Sequence, residues 1–210
     1  MNKIITDFLN NKISIDVIKN EFETNSLLEE YLESLLPKSR DISLKEWDKY
    51  NYAPYLMTNN FNVKKTIDML GTLETTRGKR NAYDLLFEIM SNSGEQIKKN
   101  NPFVEAREFL IDNVPSYIGG LEAEKYIDEI YQSLLGKNMS KKELIKTFKN
   151  TLKEKFRYTS KPPFWIQEPE WPFFEGRPMV YESRHPIGDV MIYVFSDEDS
   201  GMCTEVTQIG

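Results

Sequence analysis

The chain changes its period near residue 158, and that change bounds what it can fold into. Upstream, apolar residues recur at three- and four-residue spacing. Downstream, six of the ten prolines crowd between Pro162 and Pro186. Proline lacks an amide donor and clashes with the preceding turn, so helices do not run through such a stretch. Short β-type runs follow it. The expectation is an α+β protein. A predominantly α-helical body spans 1–158, and a proline- and aromatic-rich segment with a three-stranded antiparallel sheet spans 159–210, packed on it. Fifty residues of sheet and loop are marginal alone, so one shared core is expected.

Within the first region, Ile4, Ile5, Phe8 and Leu9 share a helical face, as do Ile15, Ile18 and Phe22 after a Ser14 N-cap. Capping boxes are expected at Ser26–Glu29, Ser43–Glu46 and Ser140–Glu143. The stretch from Tyr50 to Phe61, broken by Pro54, reads as an ordered aromatic loop. Further helices are predicted over about 62–71 and 79–92, after Pro102, and after the Gly119–Gly120 break. The last, after Ser140, carries Leu144, Ile145, Phe148, Leu152 and Phe156 on one face and lysines elsewhere. In the second region, Met179–Glu182, Val190–Phe195 and Met202–Gln208 read as strands, with turn chemistry at Asp197–Gly201. The run Val190 to Phe195 is apolar at every position, as in a middle strand covered on both faces.

Charge narrows the partners. The net is −6, unevenly spread: residues 141–161 hold eight Lys and Arg against two acids, and residues 162–210 hold two against nine. An acidic chain is a poor general nucleic-acid binder but suits a basic protein. Twelve residues at the N-terminus lack a signal peptide's apolar run, and no apolar run reaches membrane-spanning length. With a single cysteine, the expected compartment is the cytoplasm and no membrane is engaged.

Catalytic chemistry finds little support. His185 is the lone histidine and Cys203 the lone cysteine, so neither a His/Cys metal site nor a Ser-His-Asp triad is expected. A turn histidine and a buried, inert thiol are the simpler readings. No phosphate-binding glycine motif occurs, and no cofactor is expected. Glu168 and Glu170 beside Trp165 and Trp171 raise an alternative, a carboxylate-based and carbohydrate-active enzyme. The competing reading has the aromatics clamp an irregular chain while both glutamates meet solvent. The lysines of 141–157 read as a solvated face, with nucleic-acid binding as a lesser alternative.

The segment Pro163-Phe164-Trp165-Ile166-Gln167-Glu168-Pro169-Glu170-Trp171-Pro172, followed by Gly176-Arg177-Pro178-Met179-Val180-Tyr181 and Tyr193-Val194-Phe195-Ser196-Asp197, resembles a tail of bacterial immunity proteins. These proteins guard cells against polymorphic or contact-dependent toxins. A weaker echo lies in Leu27–Pro37 and in Pro115–Gly120. Ser183-Arg184-His185 departs from the pattern, which has glutamine after the first strand. The resemblance implies a non-enzymatic antitoxin that binds a cognate toxin, often a basic nuclease, and blocks its active site. Its W-I-Q and E-W-P elements are architectural in kind. Acidic and aromatic surface residues would serve such binding. The candidate contacts are Trp47, Tyr50, Tyr52 and Tyr55 in the aromatic loop, with Asp197, Glu198 and Asp199 at the last turn. Core packing and solubility are the simpler readings of the same residues.

Overall fold

The computed structural model describes residues 2–35, 63–69, 72–94 and 96–210. Among them are eight helices and a C-terminal antiparallel sheet, the α+β architecture that the sequence predicts. The chain forms two compact units, 1–108 and 109–210.

The first unit contains α1 (Asn2–Leu9), α2 (Ile15–Thr24), α3 (Ser26–Ser34), α4 (Val63–Met69) and α5 (Thr76–Asn92). Its core gathers Ile5, Leu9, Ile18, Leu28, Leu32 and Leu85 among others, so the helical spacing read from the sequence marks the buried faces. Tyr83 is fully buried and its hydroxyl is satisfied twice, donating to the Leu9 carbonyl at 2.7 Å and accepting from the Asn100 amide at 3.1 Å. α5 begins earlier than expected because Thr75 caps it, accepting from the Gly78 amide. The capping box expected at Ser26 does not form. Ser26 is already helical, Asn25 holds the N-cap position, and no side chain caps it.

The second unit contains the C-terminal half of α6 (Val104–Asn113), then α7 (Leu121–Leu135) and α8 (Lys141–Lys155). α8 opens on the expected capping box, with Ser140 and Glu143 each bonding the other's backbone amide. Phe109 stacks on Tyr131 at 4.6 Å and meets Phe148 edge-on at 5.2 Å, joining α6, α7 and α8. After α8 come a two-residue ribbon, β1 (Phe173–Phe174) with β2 (Arg177–Pro178), and the meander β3 (Val180–Ile187), β4 (Val190–Ser196), β5 (Cys203–Ile209). β4 is the middle strand, as predicted.

Three local expectations need correction. β3 runs on through Ile187, so His185 and Pro186 are strand residues, not turn residues. β3 is an edge strand, where a missing amide donor is tolerated. Cys203 is exposed rather than buried, because the outward positions of β5 are the odd-numbered ones. Finally, among the described residues β4 is covered on one face only. Tyr193 and Phe195 are buried, whereas Val190, Ile192 and Val194 are only half-buried.

The sheet is held by its inner face. Trp171 is buried; its indole donates to the Met179 carbonyl at 2.8 Å and its backbone amide to Gly119 at 2.9 Å. That approach requires glycine at 119, since a Cβ there would lie 2.9 Å from the Cβ of Pro169. Gly120, at φ +97°, takes a conformation that other residues rarely adopt. Gly136, by contrast, has a helical φ of −70° and open space around a would-be Cβ. We therefore expect Gly119→Ala to destabilise the second unit by about 1–3 kcal/mol. Gly136→Ala should be neutral or stabilising by up to about 1 kcal/mol. Denaturant titrations of the two variants check the pair.

Candidate functional site

The tail motifs converge on the inner face of the sheet and its tip. Trp165 donates its indole N–H to the Tyr117 carbonyl at 2.9 Å and packs on Tyr193 and Phe195, at ring-centroid distances of 4.4 and 6.0 Å. Trp171 meets Phe195 and Phe156 edge-on at 5.4 Å each. Gln208, pointing inward from β5, is 3% exposed, and both its amide oxygen and its amide nitrogen are hydrogen-bonded. Its Oε1 accepts from the Ile166 and Gln167 amides at 3.1 and 3.0 Å, and its Nε2 donates to the Glu168 carbonyl at 2.9 Å. The proline-rich strap, which has no regular pairing partner, thus finds three of its hydrogen bonds on one side chain. Tyr193 adds two more, donating to Phe164 and accepting from Ile166, each at 3.0 Å. Glu168 and Glu170 face outward and are exposed. Trp171 has no open ring face on which a sugar could stack.

The β4–β5 turn places the three acidic residues singled out in the sequence. Asp197 is buried: its carboxylate accepts from the Ser200 amide at 2.8 Å and hydroxyl at 2.7 Å, and it lies 3.3 Å from Arg177. The Ser200 hydroxyl and amide, with Arg177, hold its carboxyl below the usual range. Asp199 is exposed and ion-paired to the same guanidinium, and Glu198 is bound to Arg157 at 2.7 Å. The tip is therefore pinned, with Asp197 acting as its internal brace. Arg157, from the basic segment, supplies a contact between the oppositely charged stretches read from the sequence. Trp47, Tyr50, Tyr52 and Tyr55 lie outside the described residues, as do Pro37 and the Ser43–Glu46 box.

On α8, Phe148 and Leu152 are buried, and Lys141, Lys142, Lys146, Lys149, Lys153 and Lys155 are exposed. His185 is exposed on β3 opposite Ile192. Among the described residues no group of three or more His, Cys, Asp or Glu side chains could hold a metal ion, and no helix is long and apolar enough to cross a membrane.

Arg177 and Gln208 had no distinctive signal in the sequence; both are explained by partners that are distant along the chain. The outward aliphatic positions of β4 stand out in the sequence as part of an unbroken apolar run, which does not distinguish a covered face from an open one. No protein-family model, curated protein or solved structure matches the chain.

One titratable group of the first unit stands out. Glu88, on α5, has a carboxylate oxygen sealed from solvent without a hydrogen-bond partner among the described residues. Burial lifts its pKa from 4.5 to about 7, with Lys99 opposing and Asp84 adding to the rise. The folded state then holds a proton that the unfolded chain releases. The stability that Glu88 contributes is full below pH 4.5, falls as pH rises towards 7, and is gone above that. Glu88→Gln should therefore stabilise the chain near pH 8 by about 1–2 kcal/mol, after discounting for partial exposure, and have little effect near pH 4. Denaturant unfolding at the two pH values checks this.

Proposed function

We propose that the chain is an immunity protein, a non-enzymatic antitoxin that binds a cationic protein toxin and blocks its active site. The observation that carries this reading is the charge left over after internal pairing in the C-terminal segment. Of its two arginines, Arg177 is held between Asp197 and Asp199. Arg184 donates to the Phe164 carbonyl at 2.7 Å and lies over the Phe164 ring. Glu168, Glu170, Glu175, Glu182, Asp189 and Glu205 form no ion pair among the described residues. Such a surface speeds encounter with a basic protein and repels phosphate backbones. The W-I-Q, E-W-P and Y-x-F-x-D elements, which carry the resemblance to immunity proteins, supply the scaffold beneath it.

In this reading the partner is encoded by the adjacent gene, and the chain acts in the cell that makes the toxin. Co-expression should rescue growth from that gene product. The purified proteins should form a one-to-one complex whose affinity falls about tenfold or more between low and ~0.5 M salt, as charge steering is screened. Absence of both rescue and complex would contradict the assignment. So would turnover of a small-molecule substrate by the chain alone.

A further inference from the structure

The outward face of the C-terminal sheet departs from what an open antiparallel sheet normally shows, a polar outer row. The pairing register sets Ile187, Val190 and Ile209 side by side across all three strands. Ile187 and Ile209 are 60% and 64% exposed. The next rows of the same face set Ile192 between His185 and Thr207, and Val194 between Ser183 and Glu205; both aliphatic residues are half-buried. Contiguous aliphatic surface on one sheet face marks an interaction site more often than chance. The opposite face cannot serve, because Trp165, Trp171, Tyr193 and Phe195 fill it.

We propose that this aliphatic row, Ile187, Val190, Ile192, Val194 and Ile209, is the docking surface for a cationic protein partner. The inference deepens the immunity reading and rests on it. Charge selects the occupant. Glu205 stands directly beside Val194, and Asp189 occupies the turn next to Val190. Glu182 is fixed on this face by the Ser196 hydroxyl, which donates to it at 2.5 Å. Three carboxylates rim the row, and Arg184 sits in an inward row, opposite Tyr193. A second copy placed face to face would set these carboxylates against their own equivalents, which costs stability. Nucleic acid and anionic lipid meet the same repulsion. A protein surface with protruding apolar side chains ringed by Lys and Arg fits both features. Apolar anchors would hold the complex and the rim would set its orientation.

The probe is the purified product of the adjacent gene, titrated calorimetrically into the full chain. Ile192→Arg, which puts a cation at the centre of the row, should weaken binding roughly 30-fold or more. Glu205→Lys should weaken it about tenfold. Leu27→Arg, a change at a comparably exposed residue of α3 in the other unit, should leave it unchanged. A second readout needs no disruptive change: Thr207→Cys in a Cys203→Ser background places one thiol beside Ile192. Its reaction with a maleimide should slow about tenfold or more in the complex, the protection expected of a residue buried at an interface. This readout decides the matter if Ile192→Arg does not fold. A tight wild-type complex with undiminished Ile192→Arg affinity, or with an unprotected thiol at 207, overturns this surface and leaves the immunity reading standing. No complex with the wild-type chain overturns both. A chain that doubles in mass on its own, through the same face, overturns the cationic occupant.

Discussion

The second unit depends on one close approach of two backbones. Gly119 accepts from the Trp171 amide at 2.9 Å, with Pro169 packed where a side chain would otherwise stand. This contact draws the strap from 164 to 171 against the loop preceding α7. Once it forms, Trp171 reaches both Phe156 at the end of α8 and Phe195 on β4. Trp165 then closes over Tyr193, and Gln208 takes up the strap's amides. A proline-rich segment has few backbone donors, and helix or sheet cannot satisfy them. Side-chain acceptors buried beneath it are the physical solution.

This division of labour gives the distinctive residues of the tail an architectural role. The indoles of Trp165 and Trp171 and the rings of Tyr193 and Phe195 pack on the inner side of the sheet. On the other side of the sheet, where we propose that a partner docks, β4 presents every second residue and the rim is acidic. The hairpin tip is less available than its composition suggests, since Asp197 and Arg177 brace it and Arg157 holds Glu198.

The fold was legible where one periodicity dominated. The helical stripes of Ile15–Phe22, Ala82–Met90 and Leu144–Phe156 marked buried faces, and the Ser140–Glu143 cap formed as read. Legibility failed where a choice depended on partners distant in sequence. The register of β5 buries Gln208 and exposes Ile209, against hydrophobicity, because the strap needs an amide and the outward row is open. A shift of one residue would reverse both, so hydrophobic alternation alone misplaces Cys203. Pro186 shortened the expected β3, although an edge strand accepts it. At Ser26, local sequence matched a capping box, but Asn25 took the cap position one residue earlier. The candidate surface was half legible: the apolar run of β4 was plain, and its outward exposure was not.

Isoleucine side chains occupy both the interior and the outward row, so their methyl groups report on the account directly. In methyl NMR of the labelled chain titrated with the adjacent gene product, Ile187, Ile192 and Ile209 should shift or broaden. The core isoleucines Ile5, Ile18 and Ile67, all essentially inaccessible to solvent, should hold their positions. Perturbations confined to other residues, or none while a complex forms, would contradict a sheet that holds its shape with one face and recognises a partner with the other.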